Sequence, residues 1–361
     1  MAFQFTCART LPLRVEPLPG EAIDSWLEAV ARTHRATFGS VLDQCGIDVR
    51  SVNRKPWQQI FLTPSAGVIS KIAYTTGISA DAVRNTALSP AEGDLALKRH
   101  RWEWRRSSRV CPRCLAETNG RWPLQWRHNL SVVCTKHNCV LIDTCASCRR
   151  PWRTRQHHVN LIPNENCCAN PSSTASPGKG LVCGTYLPAL RPIDLQDDHS
   201  AIRAQQLIND LAAHQQITLG LYSRFARADN VLKDLRVLAQ WMLRAAELTS
   251  LDRILSTINA GMLGATAAPA VTHPDRFAQR AGVHPIAIDM AIGSTLALAV
   301  LDSPDRRSAH DLLALVMAEV RPEWALRLVR GRGREGLSKD VSAVVMSAFD
   351  TVFRGRPPPV G

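Results

Sequence analysis

The chain has 361 residues and a mass of 39.8 kDa, and 45% of its residues are hydrophobic, which excludes an intrinsically disordered protein and predicts two or three domains with buried cores. Lys and Arg number 44 against 31 Asp and Glu, so the formal net charge is +13 and favours a polyanionic partner. The first residues lack the apolar run of a secretory signal, and the most apolar later stretch, residues 286–301, is too short for a bilayer and contains Asp289. We therefore expect a cytoplasmic protein without a membrane partner.

Residues 1–95 predict an extended arm followed by a helical, helix-turn-helix-like domain. Pro19 and Gly20 end the arm, and apolar residues then recur at the spacing of one helix face. These apolar residues are Ile23, Trp26, Leu27, Val30 and Ala31. The first helix is thus expected to bury one stripe of side chains.

A helix-turn-helix unit is predicted near the end of this first part. The pattern requires a small residue late in the first helix, a glycine at the turn and a branched apolar residue in the second helix. Ala73, Gly77 and Val83 occupy these three positions. Ser79 is placed to cap the second helix, whose exposed face would carry Arg84 and Asn85. We interpret Arg84 and Asn85 as candidate DNA contacts, and a helical protein–protein surface is the alternative.

The segment from residue 98 to residue 155 concentrates positive charge and tryptophan. It holds 14 basic residues against three acidic ones, together with five of the nine tryptophans. Such a segment can bind phosphate backbones through counterion release, and its tryptophans either pack between small modules or stack on bases. The arginines that we predict to contact DNA are Arg99, Arg101, Arg105, Arg106, Arg109, Arg121 and Arg127.

A first metal site is predicted within residues 96–190, a part of the chain with little helical periodicity. Cys111 and Cys114 form one knuckle, and after 19 residues Cys134 and His137 form another. Two knuckles complete the tetrahedron that zinc prefers, so three thiolates and one imidazole make a closed structural site. Buried thiols scattered through the core are the alternative interpretation.

A second metal site follows from an internal repeat. A shift of 34 residues superimposes Cys145 and Cys148 on the first knuckle and places Cys168 after the same 19-residue spacing. Cys183 is then the best fourth ligand, reached across a surface loop that closes at modest entropic cost. Cys167 competes with Cys168, and the repeat offset is the reason to prefer Cys168. Two zinc ions per chain are expected, and full ligand sets argue against a catalytic role for either ion.

Other cysteines and histidines have weaker patterns. Cys7, Cys45 and Cys139 are expected to be small core residues. His128, His157 and His158 could be ligands, although exposed polar or phosphate-contacting roles suit them better.

Residues 191–361 predict a C-terminal helical domain with a basic, flexible tail. Ala278, Gly282 and Ile288 repeat the helix-turn-helix spacing, but the outward residues form a poor set for reading bases. The chain contains no phosphate-binding glycine loop, nucleophile elbow or clustered carboxylates, which disfavours an ATPase or a strand-transfer enzyme. The predicted fold class is mainly α and multidomain, with a central tandem zinc-ribbon or zinc-finger module.

The arm and the knuckles together resemble the TniQ family. The resemblance rests on LPLRVEPLPGEAIDSWLEAVAR at residues 11–32, on CPRC and CTKHNCVLIDTCASC, and on the closing VCGTYL, and it covers about residues 10–190. Glu21, Ser25, Trp26 and Leu27 stand where the family has them, whereas Ala22 replaces the usual Ser. The predicted zinc ligands carry over position by position, with Cys168 matching less well.

The resemblance implies a non-catalytic adaptor that selects the target site for transposon insertion. Such proteins bind DNA or dock on an RNA-guided effector complex, and they recruit an AAA+ ATPase and the transposase. An extended Pro-rich arm loses little entropy on binding, so it is a candidate docking element for that ATPase. The candidate docking residues are Leu11, Arg14, Pro17, Leu18 and Trp26. Packing of the arm across its own domain is the alternative.

Two other functions compete with this one. A stand-alone zinc-stabilised DNA-binding transcriptional regulator fits the same basic, Cys-rich segment, and an enzyme acting on nucleic acid fits it poorly. The sequence leaves open whether the chain forms a homodimer, what its DNA target is, and what the C-terminal half does.

Overall fold

The computed structural model describes residues 10–48, 61–88, 107–154, 159–172, 182–213, 216–222, 226–245, 287–318, 329 and 337–353. Within these residues the chain forms ten α-helices and two short two-stranded antiparallel sheets. The predicted mainly α fold class is therefore confirmed.

Contacts within the chain define two compact units. One comprises Met1–Ser131 and Leu141–Ile193, and the other comprises Val132–Val140 and Asp194–Gly361. The first unit contains α1 (Ile23–Thr33), α2 (Phe38–Gln44), α3 (Ala66–Thr76), α4 (Ala80–Arg84), α5 (Pro112–Glu117) and the 3₁₀ turns Leu124–Arg127 and Leu187–Ala189. The second unit contains β1 (Val133–Cys134), β2 (Cys139–Val140), α6 (Ser200–Ala213), β3 (Gln216–Ile217), β4 (Ala226–Arg227), α7 (Ala228–Ala245), α8 (Ala287–Leu301), α9 (Arg306–Ala318) and α10 (Lys339–Phe353). The predicted domain boundaries near residues 95 and 190 stay predictions.

The core of the first unit forms around α1. The predicted apolar stripe of α1 is buried against side chains from α2, α3 and α4. The core of the first unit includes Ile23, Trp26, Leu27, Val30, Phe38, Leu42, Ile69, Ile72 and Val83. Full burial of side chains of this size contributes about 1.5–3 kcal/mol each to the hydrophobic term, which is the main reason that short helices persist here.

The predicted helix-turn-helix unit is formed by α3 and α4. The turn contains Gly77 at a φ of +69°, a left-handed conformation that glycine adopts without a Cβ penalty. Ser79 Oγ accepts a hydrogen bond of 3.2 Å from the Ala82 amide and caps α4, as expected. The second helix, α4, has five residues and ends at Arg84.

The arm runs over the surface of its own unit. The Leu11 amide donates to the Thr75 carbonyl at 2.7 Å, and Trp26 Nε1 donates to the Val15 carbonyl at 2.8 Å. These bonds fix the arm against α3 and α1. This agrees with the alternative interpretation, in which the arm packs across its own domain.

The second unit packs α8 against α6, α7 and α9. Asp234 on α7 is fully buried and accepts hydrogen bonds of 2.7 Å from the Tyr222 hydroxyl and the Ser338 amide, which joins α7 to the start of α10. Gln205 on α6 accepts hydrogen bonds from the Val132 and Val133 amides at 2.8 and 3.0 Å and so holds β1. Among the described residues, no helix has both the length and the apolar character to cross a membrane.

Candidate metal centres and their surroundings

The first cluster contains all four ligands predicted for the first site. Ligand atoms of Cys111, Cys114, Cys134 and His137 all lie within 4.8 Å of one another. Cys111 directly precedes α5 and Cys114 lies in its first turn, because Pro112 starts this helix at a position where its missing N–H costs nothing. Cys134 ends β1, and His137 lies in the turn that leads to β2. Each knuckle thus presents two side chains from one tight turn.

The spacing within the first cluster fits a tetrahedral metal ion. With Zn–S of about 2.3 Å and Zn–N of about 2.0–2.1 Å, a tetrahedron places a sulfur and a nitrogen ligand about 3.5 Å apart and two sulfurs about 3.8 Å apart. Cys134 Sγ lies 3.5 Å from His137 Nδ1. This distance favours Nδ1 as the ligand atom of the imidazole.

The second cluster has the same geometry with four thiols. Ligand atoms of Cys145, Cys148, Cys168 and Cys183 lie within 4.8 Å of one another. The Sγ atoms of Cys145 and Cys183 are 3.7 Å apart, and those of Cys148 and Cys168 are 3.9 Å apart. These separations match two edges of the tetrahedron expected for sulfur ligands. All four residues are free cysteines.

Neighbouring side chains orient the thiols of the second cluster. Asn170 Nδ2 donates to Cys148 Sγ at 3.6 Å and to the Pro151 carbonyl at 3.2 Å. The Thr185 hydroxyl lies 3.0 Å from Cys183 Sγ. Such outer contacts hold metal ligands in place and tune their basicity.

Electrostatics explain why the second cluster suits a cation. Burial raises the pKa of Cys168, and negative charge on Cys145, Cys148 and Cys183 raises it further. Burial also opposes ionisation of Cys145, but hydrogen bonds from the Cys148 amide and the Thr185 hydroxyl lower its pKa to about 7. Thiolates gathered at these distances repel one another, and a divalent cation among them removes that cost.

The structure places Cys168, and not Cys167, in the second cluster, in agreement with the internal repeat. Cys168 is 2% exposed and lies in the cluster, whereas Cys167 is half-buried and forms a β-bridge with Tyr186. Successive residues of an extended segment point to opposite sides, so one of the two thiols faces the other ligands. Cys45 and Cys139 are buried outside both clusters, as expected, and Cys7 lies outside the described residues.

A row of buried carboxylates, which we call the acidic row, lies along and just before α1. Its members are Glu21, Asp24 and Glu28, which are 1%, 3% and 5% exposed. Their partners are three arginines of residues 96–190, which we call the cysteine-rich segment, namely Arg121, Arg127 and Arg153. Buried charges persist only when paired, so the acidic row fixes α1 to that segment.

The hydrogen bonds of the acidic row are short and partly bidentate. Glu21 accepts from Arg121 Nε at 2.6 Å, and Asp24 accepts from Arg127 Nη2 at 2.7 Å. Arg153 donates two bonds to Glu28, at 3.0 and 2.9 Å, and one to Asp24 at 3.1 Å. Fork-shaped pairing of this kind adds geometric specificity to the charge interaction.

The acidic row also sets the ionisation of Asp24. Burial by itself would raise the pKa of this carboxyl. The positive charges of Arg127 and Arg153, together with a hydrogen bond from Arg153, outweigh burial and hold the pKa below its ordinary value. Asp24 is therefore an anion at neutral pH.

The prediction that Arg109, Arg121 and Arg127 contact DNA is corrected. The side chains of Arg109 and Arg127 are 1% exposed, and that of Arg121 is 14% exposed. Arg109 donates to Asp143 at 3.0 Å and to the Ser131 carbonyl at 2.7 Å. These guanidinium groups stabilise the interior and are not available to phosphates.

The remaining predicted DNA contacts have mixed positions. Arg84 and Asn85 are exposed at the end of α4, as expected, although Arg84 forms an ion pair with Asp81. The other predicted contacts lie outside the described residues, namely Arg99, Arg101, Arg105 and Arg106. DNA binding by all of these residues stays a prediction.

The docking residues predicted in the arm are only partly exposed. Trp26 is fully buried in the core, so its assignment to a docking surface is corrected. Leu11 and Pro17 are half-buried, whereas Arg14 and Leu18 are exposed. The outward face of the arm also includes Leu13, an exposed residue that the sequence pattern did not single out.

Aromatic and histidine side chains in the Cys-rich segment serve packing. Trp122, Trp126 and Trp152 are buried, which agrees with the packing interpretation. His128 is also buried, and its Nδ1 accepts a hydrogen bond from the Leu130 amide. Burial, with a smaller effect of the positive charge on Arg109, lowers the pKa of His128 to about 4. His128 is therefore neutral at pH 7, and it lies in neither cluster. His157 and His158 lie outside the described residues.

The knuckles themselves carry exposed basic residues that the predicted DNA contacts did not include. These residues are Arg113, Lys136, Arg149 and Arg150. All four lie inside or directly after a knuckle, so their positions beside the predicted ligands could have identified them as candidates.

The helical fold and the paired clusters define the class as a mainly α protein with two clusters, one of three Cys and one His and one of four Cys, that could each hold a metal ion. Residues 12–141, just over a third of the chain, match the family model described as TniQ, so the resemblance is confirmed over that segment. The match relates this segment to a family of transposon target selection and DNA binding. The matched segment includes α1 to α5 and all four ligands of the first cluster, and it ends before the second cluster. A comparison with curated proteins finds no match.

Proposed function

We propose that the protein is a non-catalytic, zinc-containing adaptor that binds DNA, selects the site of transposon insertion and recruits an AAA+ ATPase and the transposase. The observation that carries this proposal is the pair of four-ligand clusters within and directly after a TniQ domain. Neither charge nor fold alone would distinguish an adaptor from another basic helical protein.

The ligand chemistry supports zinc in a structural role. Each cluster supplies four protein ligands, so a tetrahedral ion would keep no open position for a reacting water. Binding of zinc by such a site contributes folding free energy of about 10 kcal/mol or more. The ions would hold the knuckles, and the basic residues at their tips, in fixed positions.

The outward face of the arm supports a docking role for this segment. Leu13 and Leu18 are 52% and 38% exposed, and the exposed Arg14 lies between them. Hydrogen bonds from the arm to the rest of the unit hold this face in place before any partner binds. A preformed, largely apolar face loses little entropy on association with the ATPase.

Affinity purification from the native host tests this proposal. The tagged full-length chain should retain an AAA+ ATPase and a transposase, identified by mass spectrometry, and should retain duplex DNA when nuclease is omitted. Leu13→Asp should lose the ATPase while it keeps zinc and DNA. Leu315→Asp is the matched control, because Leu315 on α9 is 53% exposed, and it should keep all partners.

The outcome also separates the two binding functions. Retention of promoter DNA and RNA polymerase, without the ATPase or the transposase, would contradict the adaptor and favour the transcriptional regulator. Equal loss of the ATPase in both leucine variants would show that the arm is not the docking element.

A further inference from the structure

Three residues that directly follow a candidate metal ligand adopt left-handed backbone conformations. They are Asn138, Arg149 and Gly184, with φ of +45°, +55° and +70°. Glycine enters this region freely and asparagine enters it more easily than most residues, whereas an arginine is strained there by its Cβ. Two of these positions therefore hold a residue that suits the turn, and Arg149 does not.

Two other arginines have a positive φ, and each has a structural reason. Arg153, at +51°, donates hydrogen bonds to the buried Asp24 and Glu28. Arg35, at +47°, lies just beyond the C-terminus of α1, where a positive charge interacts favourably with the helix dipole.

Arg149 has neither of these reasons. Its side chain is exposed, and within the described part of the chain it forms no ion pair or side-chain hydrogen bond. It does not follow a helix, because the preceding turn is the knuckle itself. The backbone of the turn is therefore strained at Arg149, although the guanidinium group of this residue forms no ion pair or hydrogen bond with the other described residues.

The position of Arg149 suits an extended anion. The Arg149 amide donates to the Cys145 carbonyl at 2.8 Å, and the Cys145 amide donates to the Arg150 carbonyl at 3.0 Å, so the turn fixes both arginine backbones. Ala146 and Ser147 at the tip are exposed and small, which leaves room for a flat surface to approach. Asp143, a nearby acidic residue, is 12% exposed and already paired with the buried Arg109.

We infer that Arg149 is a phosphate-contacting residue and that the Cys145–Arg150 turn of the second cluster lies on the backbone of duplex DNA. This inference rests on the proposed DNA-binding function and adds the surface that performs it. The strain at Arg149 then has a reason, because glycine or asparagine would fit the turn but would lose the phosphate contact.

The test is an Arg149→Gly variant of the full-length, zinc-loaded protein. Its melting temperature should equal that of the wild type or exceed it by about 2–4 °C, since left-handed strain is removed from a unit of this size. Its zinc content should not change. Its affinity for duplex DNA, measured by fluorescence anisotropy across a salt series, should fall, and the slope of log K against log salt should become shallower by about 0.9 for one lost phosphate contact.

Three further variants distinguish loss of a phosphate contact from a change in the turn itself. Arg149→Asn should repeat the result with a second residue that tolerates the turn, and Arg149→Lys should restore most of the salt slope because it restores the charge. Arg35→Gly is the matched control: it also replaces an exposed left-handed arginine with glycine, and it should leave DNA binding unchanged.

The possible results separate this inference from the proposed function. An unchanged salt slope in Arg149→Gly, a lower melting temperature, or equal losses in Arg35→Gly would overturn the inference while leaving DNA binding intact. Absence of DNA binding by the wild type would overturn both. Tighter binding to RNA than to duplex DNA would overturn the assignment of DNA as the partner.

Discussion

Asp24→Asn tests whether the acidic row joins α1 to the cysteine-rich segment. The substitution keeps the size of the side chain and removes its charge. Asp24 accepts hydrogen bonds from two guanidinium groups, at 2.7 Å from Arg127 and at 3.1 Å from Arg153. Arg153 keeps both bonds to Glu28 in the variant, so the loss falls mainly on Arg127.

The expected cost is large because the pair is buried. Removal of one partner of a buried ion pair destabilises a protein by about 3–5 kcal/mol, since the other charge remains buried without compensation. For a unit of this size each kcal/mol corresponds to about 2–4 °C, so the melting temperature should fall by roughly 6–20 °C. Because the pKa of Asp24 is lowered on folding, its stabilising effect is complete above the unfolded value near 3.8 and disappears as pH falls through the folded pKa. A measurement at pH 7 therefore captures the whole effect.

Urea unfolding at pH 7, with zinc content measured in parallel, is the appropriate assay. Glu16→Gln provides the matched control, because Glu16 also pairs with an arginine, Arg14 at 3.2 Å, but both side chains are more than 60% exposed. An exposed pair contributes less than about 1 kcal/mol, so this control should barely change stability. Equal small shifts in Asp24→Asn and Glu16→Gln would refute the reasoning that the acidic row stabilises the first unit.

Two further predictions concern single positions in the first unit. Cys168→Ser should reduce the zinc content to about one ion per chain, whereas Cys167→Ser should leave it unchanged. Elemental analysis of both variants measures this. A loss of zinc in Cys167→Ser would contradict the assignment of Cys168 as the ligand. Gly77→Ala should destabilise the unit by about 1–2 kcal/mol, because Gly77 has a φ of +69° and an added Cβ would lie 3.1 Å from Thr10 Cγ2. Gly67→Ala on the same helix meets nothing within 4 Å and should be neutral or stabilising in the same denaturation assay.

Local patterns predicted much of the fold. The apolar spacing of α1 and the turn at Gly77 depend on residues only a few positions apart, and the structure has both. Spacing also grouped the eight candidate ligands correctly, because a knuckle is a local turn and the repeat transfers its geometry along the chain. Cys168 rather than Cys167 followed from the same offset.

Long-range pairing could not be predicted in the same way. Arg127 and Asp24 are 103 residues apart, and a count of charges in the basic segment treats every arginine as equally available. Asp24 and Glu28 lie outside the predicted apolar stripe of α1, on the side that the pattern assigns to solvent, so the pattern did not mark them as buried. Their burial, which the structure shows, is what requires cationic partners.

The number of zinc ions bound by the purified full-length chain tests the central claim most directly. Elemental analysis of protein prepared without added metal or chelator should find about two zinc ions per chain, and their removal by a chelator should unfold the cysteine-rich segment. A protein that contains no zinc and keeps its melting temperature in chelator would contradict the account.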